Sequence, residues 1–143
     1  VSNQVSDAFG KRLHAYDTSV AEWVALRLIH GADGAAPGQI AASMGVTRGA
    51  MSKIIERLRL RGLVDRRADA GDGRAQNLRL TPPGRRLLAK LGASADENEA
   101  EFFDCLNEKD RGQLRAILLK LATTHQWNTA PLGWPAAHQE NTP

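Results

Sequence analysis

The stretch that decides the fold is Pro37–Gly62, PGQIAASMGVTRGAMSKIIERLRLRG. Its first part reads as a short helix that opens on Pro37, buries Ile40, Ala41 and Met44, and is stopped by Gly45, a residue free to adopt the left-handed conformation that closes helices. Two residues later Thr47 can cap a longer helix that ends at Gly62. Within it Met51, Ile54, Ile55 and Leu58 recur at i, i+3, i+4 and i+7, so one face is apolar. Arg48, Gly49, Ser52, Lys53 and Arg57 are left on the outer side, mostly in the N-terminal half. Leu60 falls off the apolar stripe, and this helix alone gives no account of it. Helix, tight Gly-containing turn, helix is the sequence form of a helix-turn-helix.

Downstream, LVDRR and AQNLRLT read as two strands separated by ADAGDGR, a run too polar and Gly-rich for anything but a turn. Leu78 and Leu80 share one strand face while Asn77, Arg79 and Thr81 share the other, the alternation of a half-buried strand. A hairpin therefore follows the helix-turn-helix. Thr81 can cap a further helix with Pro82 in its first turn, and Leu88, Leu91, Ala95, Phe102 and Leu106 keep helical spacing past Gly92, so that helix is expected to be long. Asn107 with Asp110 resembles a capping pair, after which Leu114, Ile117, Leu118, Leu121 and His125 trace the face of a last helix. Upstream, Val5 to about Tyr16 carries a helical period, and a second helix follows, capped by Asp17, Thr18 or Ser19 and ended by Gly31. ADGAAPGQ reads as a loop, and the tail after Trp127, with its prolines and little periodicity, as irregular.

The chain of 143 residues supports one folding unit with a real core. The overall charge of +3 conceals an asymmetry: Thr47 to Lys90 holds twelve basic residues against four acids, about +8, so the remainder carries about −5, concentrated in DENEAEFFD, Asp96–Asp104. Such a division suits a surface that binds a polyanion, since each neutralised phosphate releases counterions.

Other classes find little support. No apolar run is long enough to cross a bilayer, and VSNQVSDAFGKR lacks the apolar centre of a signal peptide, so the expected compartment is the cytoplasm. Because the chain begins at Val1, its natural start is expected to lie upstream. Cys105, the single cysteine, cannot form an internal disulfide, and the four histidines (His14, His30, His125, His138) lack ligand spacing, so neither metal nor cofactor is expected. No phosphate-binding Gly loop, nucleophile elbow or HExxH is present, and GDGR lacks the later acidic ligands of a calcium loop, so the chain does not read as an enzyme.

In order and in residues, QIAASMGVTRGAMSKIIERLRLRGLVDRRADAGDGRAQNLRLTPPG resembles the MarR family of bacterial winged-helix regulators. The likeness spans about Val20 to Leu121, with Asp72-Gly73-Arg74 at the wing and Leu80-Thr81-Pro82 with Gly84 in register with the family pattern. It implies a mainly α fold: a winged helix-turn-helix lobe at 18–82 with a small β-hairpin wing, helices at 1–17 and 83–128 forming a dimerisation base, and an irregular tail at 129–143. It implies that the helix from Thr47 to Arg61 enters the major groove of double-stranded DNA. Thr47, Ser52 and Lys53 would reach phosphates or base edges, Arg48 or Arg57 could offer two parallel donors to guanine, and Gly49 would allow close approach. Arg74 would enter the minor groove, oriented by Asp72. A homodimer would set its two recognition helices roughly 34–36 Å apart on a near-palindromic operator. Repression is the default mode.

Family likeness further implies a small, often aromatic, effector between base and lobe, a space that His14, Tyr16, Trp23 and Arg27 would border; Trp23 also lies on the apolar stripe and suits the core. Cys105 reads as a buried or interfacial small hydrophobe, since the acidic neighbours Glu101 and Asp104 would oppose an oxidant-sensing role. The acidic run at Asp96–Asp104 is expected on the side away from DNA. The rival reading is a winged helix used for contact with an acidic protein, which a steep salt dependence on DNA would separate from the first.

Overall fold

The computed structural model describes residues 2–32, 35–68 and 76–126. In chain order the elements are Ser2–His14 (α1), Val20–Gly31 (α2), Pro37–Met44 (α3), Arg48–Leu60 (α4), Val64–Ala68 (β1), Gln76–Leu80 (β2), Pro82–Phe103 (α5) and Glu108–Thr124 (α6). The fold is thus mostly helical with one small antiparallel sheet, as the sequence reading expects.

The caps follow residue chemistry. Ser19 caps α2, its Oγ accepting from the Glu22 N–H at 3.1 Å while Glu22 Oε2 accepts from the Ser19 N–H at 2.7 Å. Thr81 Oγ1 accepts from the Gly84 N–H at 3.1 Å and donates to the Gly62 carbonyl at 2.6 Å, so one hydroxyl both starts α5 and ties it to the end of α4. Asn107 caps α6 through the Asp110 N–H at 3.0 Å. Gly45 closes α3 with φ of 66°, the left-handed geometry foreseen for it.

β1 and β2 pair in the register Val64↔Leu80, Asp65↔Arg79, Arg66↔Leu78 and Arg67↔Asn77. One finding departs from the sequence reading: Ala35, inside the supposed loop, forms a bridge to Leu78, whose N–H donates to the Ala35 carbonyl at 3.0 Å. A single paired residue leaves no period to detect, so the sequence showed only its turn-forming neighbours.

The core gathers Leu13 from α1, Leu26 and Ile29 from α2, Ile40 from α3, Met51, Ile55 and Leu58 from α4, Leu78 from β2 and Leu91 from α5. α5 starts against this core under a tight constraint, since a Cβ at Gly84 would collide with the Leu63 carbonyl. Its far half leaves the lobe and packs on α1, where Arg12 pairs with Glu97 at 3.0 Å and Glu101 at 2.6 Å, and Asn98 Nδ2 donates to the Val5 carbonyl at 3.2 Å. The acidic run is therefore partly paired within the chain; Asp104 likewise meets Arg111 at 2.6 Å.

Candidate nucleic-acid interface

α4 stands out from the lobe with its apolar face, Met51, Ile55 and Leu58, buried. Thr47 holds its start, with φ −69° and ψ 156° and Oγ1 accepting from the Ala50 N–H at 3.2 Å. That use of the hydroxyl orients the first turn and leaves the exposed Arg48, Gly49, Ser52 and Lys53 together on its open side. Among the described residues nothing beyond the backbone of its own helix lies within 4 Å of a Cβ placed on Gly49, so packing among them does not require a glycine there.

Arg57 is paired within the chain. Its Nη2 lies 3.1 Å from Asp17 Oδ1 and its Nε 2.9 Å from Oε1 of the buried Glu22, so the fork that a guanine contact would use faces the α1–α2 corner. One turn on, Arg61 donates to the carbonyls of Tyr16 at 2.9 Å and Asp17 at 2.7 Å. Asp17 itself sits at φ 50°, in the left-handed region that a non-glycine residue occupies only when its surroundings hold it there. Sequence reasoning assigned Arg57 to an outer face correctly but could not see that acidic partners about forty residues away occupy that face.

Arg59 is also committed, by Nε and Nη2 contacts of 3.0 and 2.9 Å to Glu56. Hydrogen bonding to Arg59 holds the Glu56 carboxyl below its usual range, and the same pair raises the Arg59 guanidinium. Leu60 is 74% exposed, and no contact among the described residues explains it. Asp72 and Arg74, the wing pair of the sequence reading, lie outside the described residues. The strands leading to them carry the exposed Arg66, Arg67 and Arg79.

The residues assigned to an effector space do not converge on one cavity. His14 is exposed and faces an open groove with Lys11 and Val20. Trp23 lines a different cavity, of about 260 Å³, between α1, α2 and α5, with Phe9, Asn98 and Phe103. Phe9 meets the Trp23 ring edge-on at 4.7 Å, and the Arg27 guanidinium lies over that ring at 4.5 Å. Burial lowers the Arg27 pKa. Tyr16 is half-buried and packs against the core. The aromatic walls contributed by Phe9 and Phe103 were missed because the helical spacing of Phe9 reads equally well as ordinary core and Phe103 lies off the stripe that runs through Phe102.

Cys105, expected to be buried or interfacial, is exposed in the single chain; its Sγ donates to the Phe102 carbonyl at 3.6 Å, inside the turn that ends α5. The stripe foreseen on α6 is exposed as well, with Ile117 58% and Leu118 54% accessible. Between α6 and α5 lies an apolar cavity of about 580 Å³ walled by Phe103, Leu106, Leu114 and Leu118. Among the described residues no group of His, Cys, Asp and Glu is placed to hold a metal ion, and no helix is long and apolar enough to cross a membrane.

A capped helix with an exposed basic start, packed on a short helix and followed by a two-stranded hairpin, defines a winged helix-turn-helix protein. Comparison with known proteins makes this specific. The model of the MarR family matches residues 16–75. A transcriptional regulatory protein for the hcr operon of Thauera aromatica is 29% identical over 96 residues, 67% of this chain, and the chain spans only 58% of that relative's length. The S. aureus MepR-DNA complex superposes with a TM-score of 0.72 at 26% identity, over 86% of this chain and 91% of that one. CouR from Rhodococcus jostii RHA1, solved bound to p-coumaroyl-CoA, gives a TM-score of 0.70 at 27% identity over 85% of each chain. Over its winged helix-turn-helix part the chain is thus similar to the MarR family, and its fold is similar to these solved structures over most of its length.

Proposed function

We propose that this protein is a dimeric repressor that binds a near-palindromic DNA operator and responds to a small aromatic effector. The observation that carries the reading is the start of α4. Arg48, Ser52 and Lys53 project from a helix whose first turn is capped by Thr47 and whose far end is clamped by Arg57 and Arg61. A helix fixed at both ends presents donors to phosphates and base edges with little freedom left to lose on binding. Gly49, uncrowded among the described residues, suits close approach of an external backbone. MepR, a structural relative, was solved with DNA.

Dimerisation is supported by α6. Ile117, Leu118 and Leu121 form an exposed apolar stripe beside the cavity under α5, and a second copy applied there would remove this surface from water. On this reading 1–17 and 83–128 form the dimer base and 18–82 the DNA-binding lobe. The effector is assigned to the cavity of Phe9, Trp23 and Phe103 in place of the space beside His14; CouR's complex with p-coumaroyl-CoA supports ligand binding within the family.

The test is fluorescence anisotropy with DNA from the protein's own promoter region. Specific binding that weakens steeply as salt rises, with a slope set by several phosphate contacts, is expected. Weak binding that ignores both sequence and salt overturns the reading and favours an acidic protein partner. In the wing, Arg74→Ala should weaken DNA binding while leaving folding intact, and Asp72→Ala should do the same despite removing a negative charge. Tighter binding by Asp72→Ala would mean that Asp72 merely repels DNA.

A further inference from the structure

The basic segment supplies more arginines than α4 uses, and three of them meet at the base of the wing. Strand alternation sends Val64, Leu78 and Leu80 into the core, and Asp65, Arg67 and Arg79 to the other face. There they join His30 from the last turn of α2 and Thr81 and Arg85 from the start of α5 around a cavity of about 490 Å³. No residue of α4 lines it, so it is separate from the recognition helix.

Its charge is unbalanced: three guanidiniums face one carboxylate, with the His30 imidazole lining the same cavity. Arg85 is fixed at the rim by donation from Nη1 to the Leu80 carbonyl at 2.9 Å. Asp65 turns back on its own strand, Oδ1 accepting from the Arg66 N–H at 2.8 Å, and lies directly across the ladder from Arg79. Arg67 stands diagonally from Arg79 on the ladder, which sets two like charges on neighbouring strands at the same cavity. Among the described residues neither Arg67 nor Arg79 forms an ion pair. Planar guanidinium forks converging from two strands and a helix match the paired oxygens of phosphate and carboxylate groups, and an anion between them would turn repulsion into attraction.

We propose that this cavity binds a small, multiply charged anion bearing phosphate or carboxylate groups, which bridges the wing strands to α2 and α5. The inference stands independently of the DNA-binding reading.

Thermal unfolding of the full chain, followed against inorganic pyrophosphate and, separately, citrate at constant ionic strength, tests it. The expected result is a saturable rise in midpoint, with the His30 ring resonances shifting over the same concentration range. Arg67→Gln and Arg79→Gln should each raise the half-saturating concentration about tenfold or more, whereas Lys53→Gln on α4 should leave it unchanged. The two variants report on one cavity from different strands, so the test survives if either fails to fold. A larger response to pyrophosphate assigns the phosphate class, and a larger response to citrate the carboxylate class. A response that never saturates, or an equal loss in Lys53→Gln, reduces the effect to general attraction of anions and overturns the proposal. So does loss of DNA affinity in the arginine variants with no pyrophosphate effect, which would make the cavity a seat for the DNA backbone.

Discussion

Arg57 Nε lies 2.9 Å from Oε1 of Glu22, whose side chain is only 3% exposed, so the flank of α4 is joined to the buried first turn of α2. The other oxygen of Glu22 completes the capping box with Ser19. One carboxylate thus organises the start of α2 and anchors α4 next to the corner that Arg61 holds through the Tyr16 and Asp17 carbonyls.

Replacing Glu22 separates these two tasks. Glu22→Gln retains an N3 side chain able to cap but loses the charge opposite Arg57, and should destabilise the fold by about 1–2 kcal/mol in urea denaturation. Glu22→Ala also removes the capping box and should lose a further ~1 kcal/mol. A Gln variant as stable as wild type would show that the ion pair contributes nothing beyond the cap.

Lys53 and Arg57 should respond differently despite sharing a helix. Lys53→Gln should weaken DNA binding across all sequences and reduce the salt slope by about 1, with folding unchanged. Arg57→Gln should instead lower stability by roughly 1 kcal/mol and leave the slope near its wild-type value. Paired measurements of anisotropy against salt and of chemical denaturation check both. An equal fall in slope for the two variants would mean that Arg57 leaves Glu22 to contact DNA.

Gly84 is required by approach, not by backbone angle. Gly84→Ala would drive a methyl group into the Leu63 carbonyl, part of the backbone just after α4. A loss of about 2–3 kcal/mol is expected in denaturant titrations, because no flexible side chain can move aside. Wild-type stability in this variant would show that α5 can shift on the wing base.

On α6, Leu118→Asp places a charge in the exposed apolar stripe. The variant should keep its helical circular dichroism yet sediment as a monomer and lose its preference for a palindromic operator over a half-site. A dimer that persists in analytical ultracentrifugation would put the interface elsewhere.

Much of the fold could be read from local chemistry. The i, i+3, i+4, i+7 spacing of Met51, Ile54, Ile55 and Leu58, the caps at Thr47, Thr81 and Asn107, and the alternation of Leu78 and Leu80 each reflect interactions within a few residues. Backbone geometry imposes those periods whatever the rest of the chain does. Exposure of Arg48, Ser52 and Lys53 followed directly from them.

Tertiary packing settled what depends on the chain's path through space. It gave Arg57 to Glu22 and Asp17, set Ala35 beside Leu78, and pressed Gly84 against Leu63. It also divided the residues once grouped around one effector, sending His14 to an open groove and Trp23 to a cavity with Phe9 and Phe103. Residue type limits what a side chain can do. Its partner is chosen by contacts between segments distant in sequence, and for Arg67, Arg79 and Arg85 only folding brings three separate positive charges around one space.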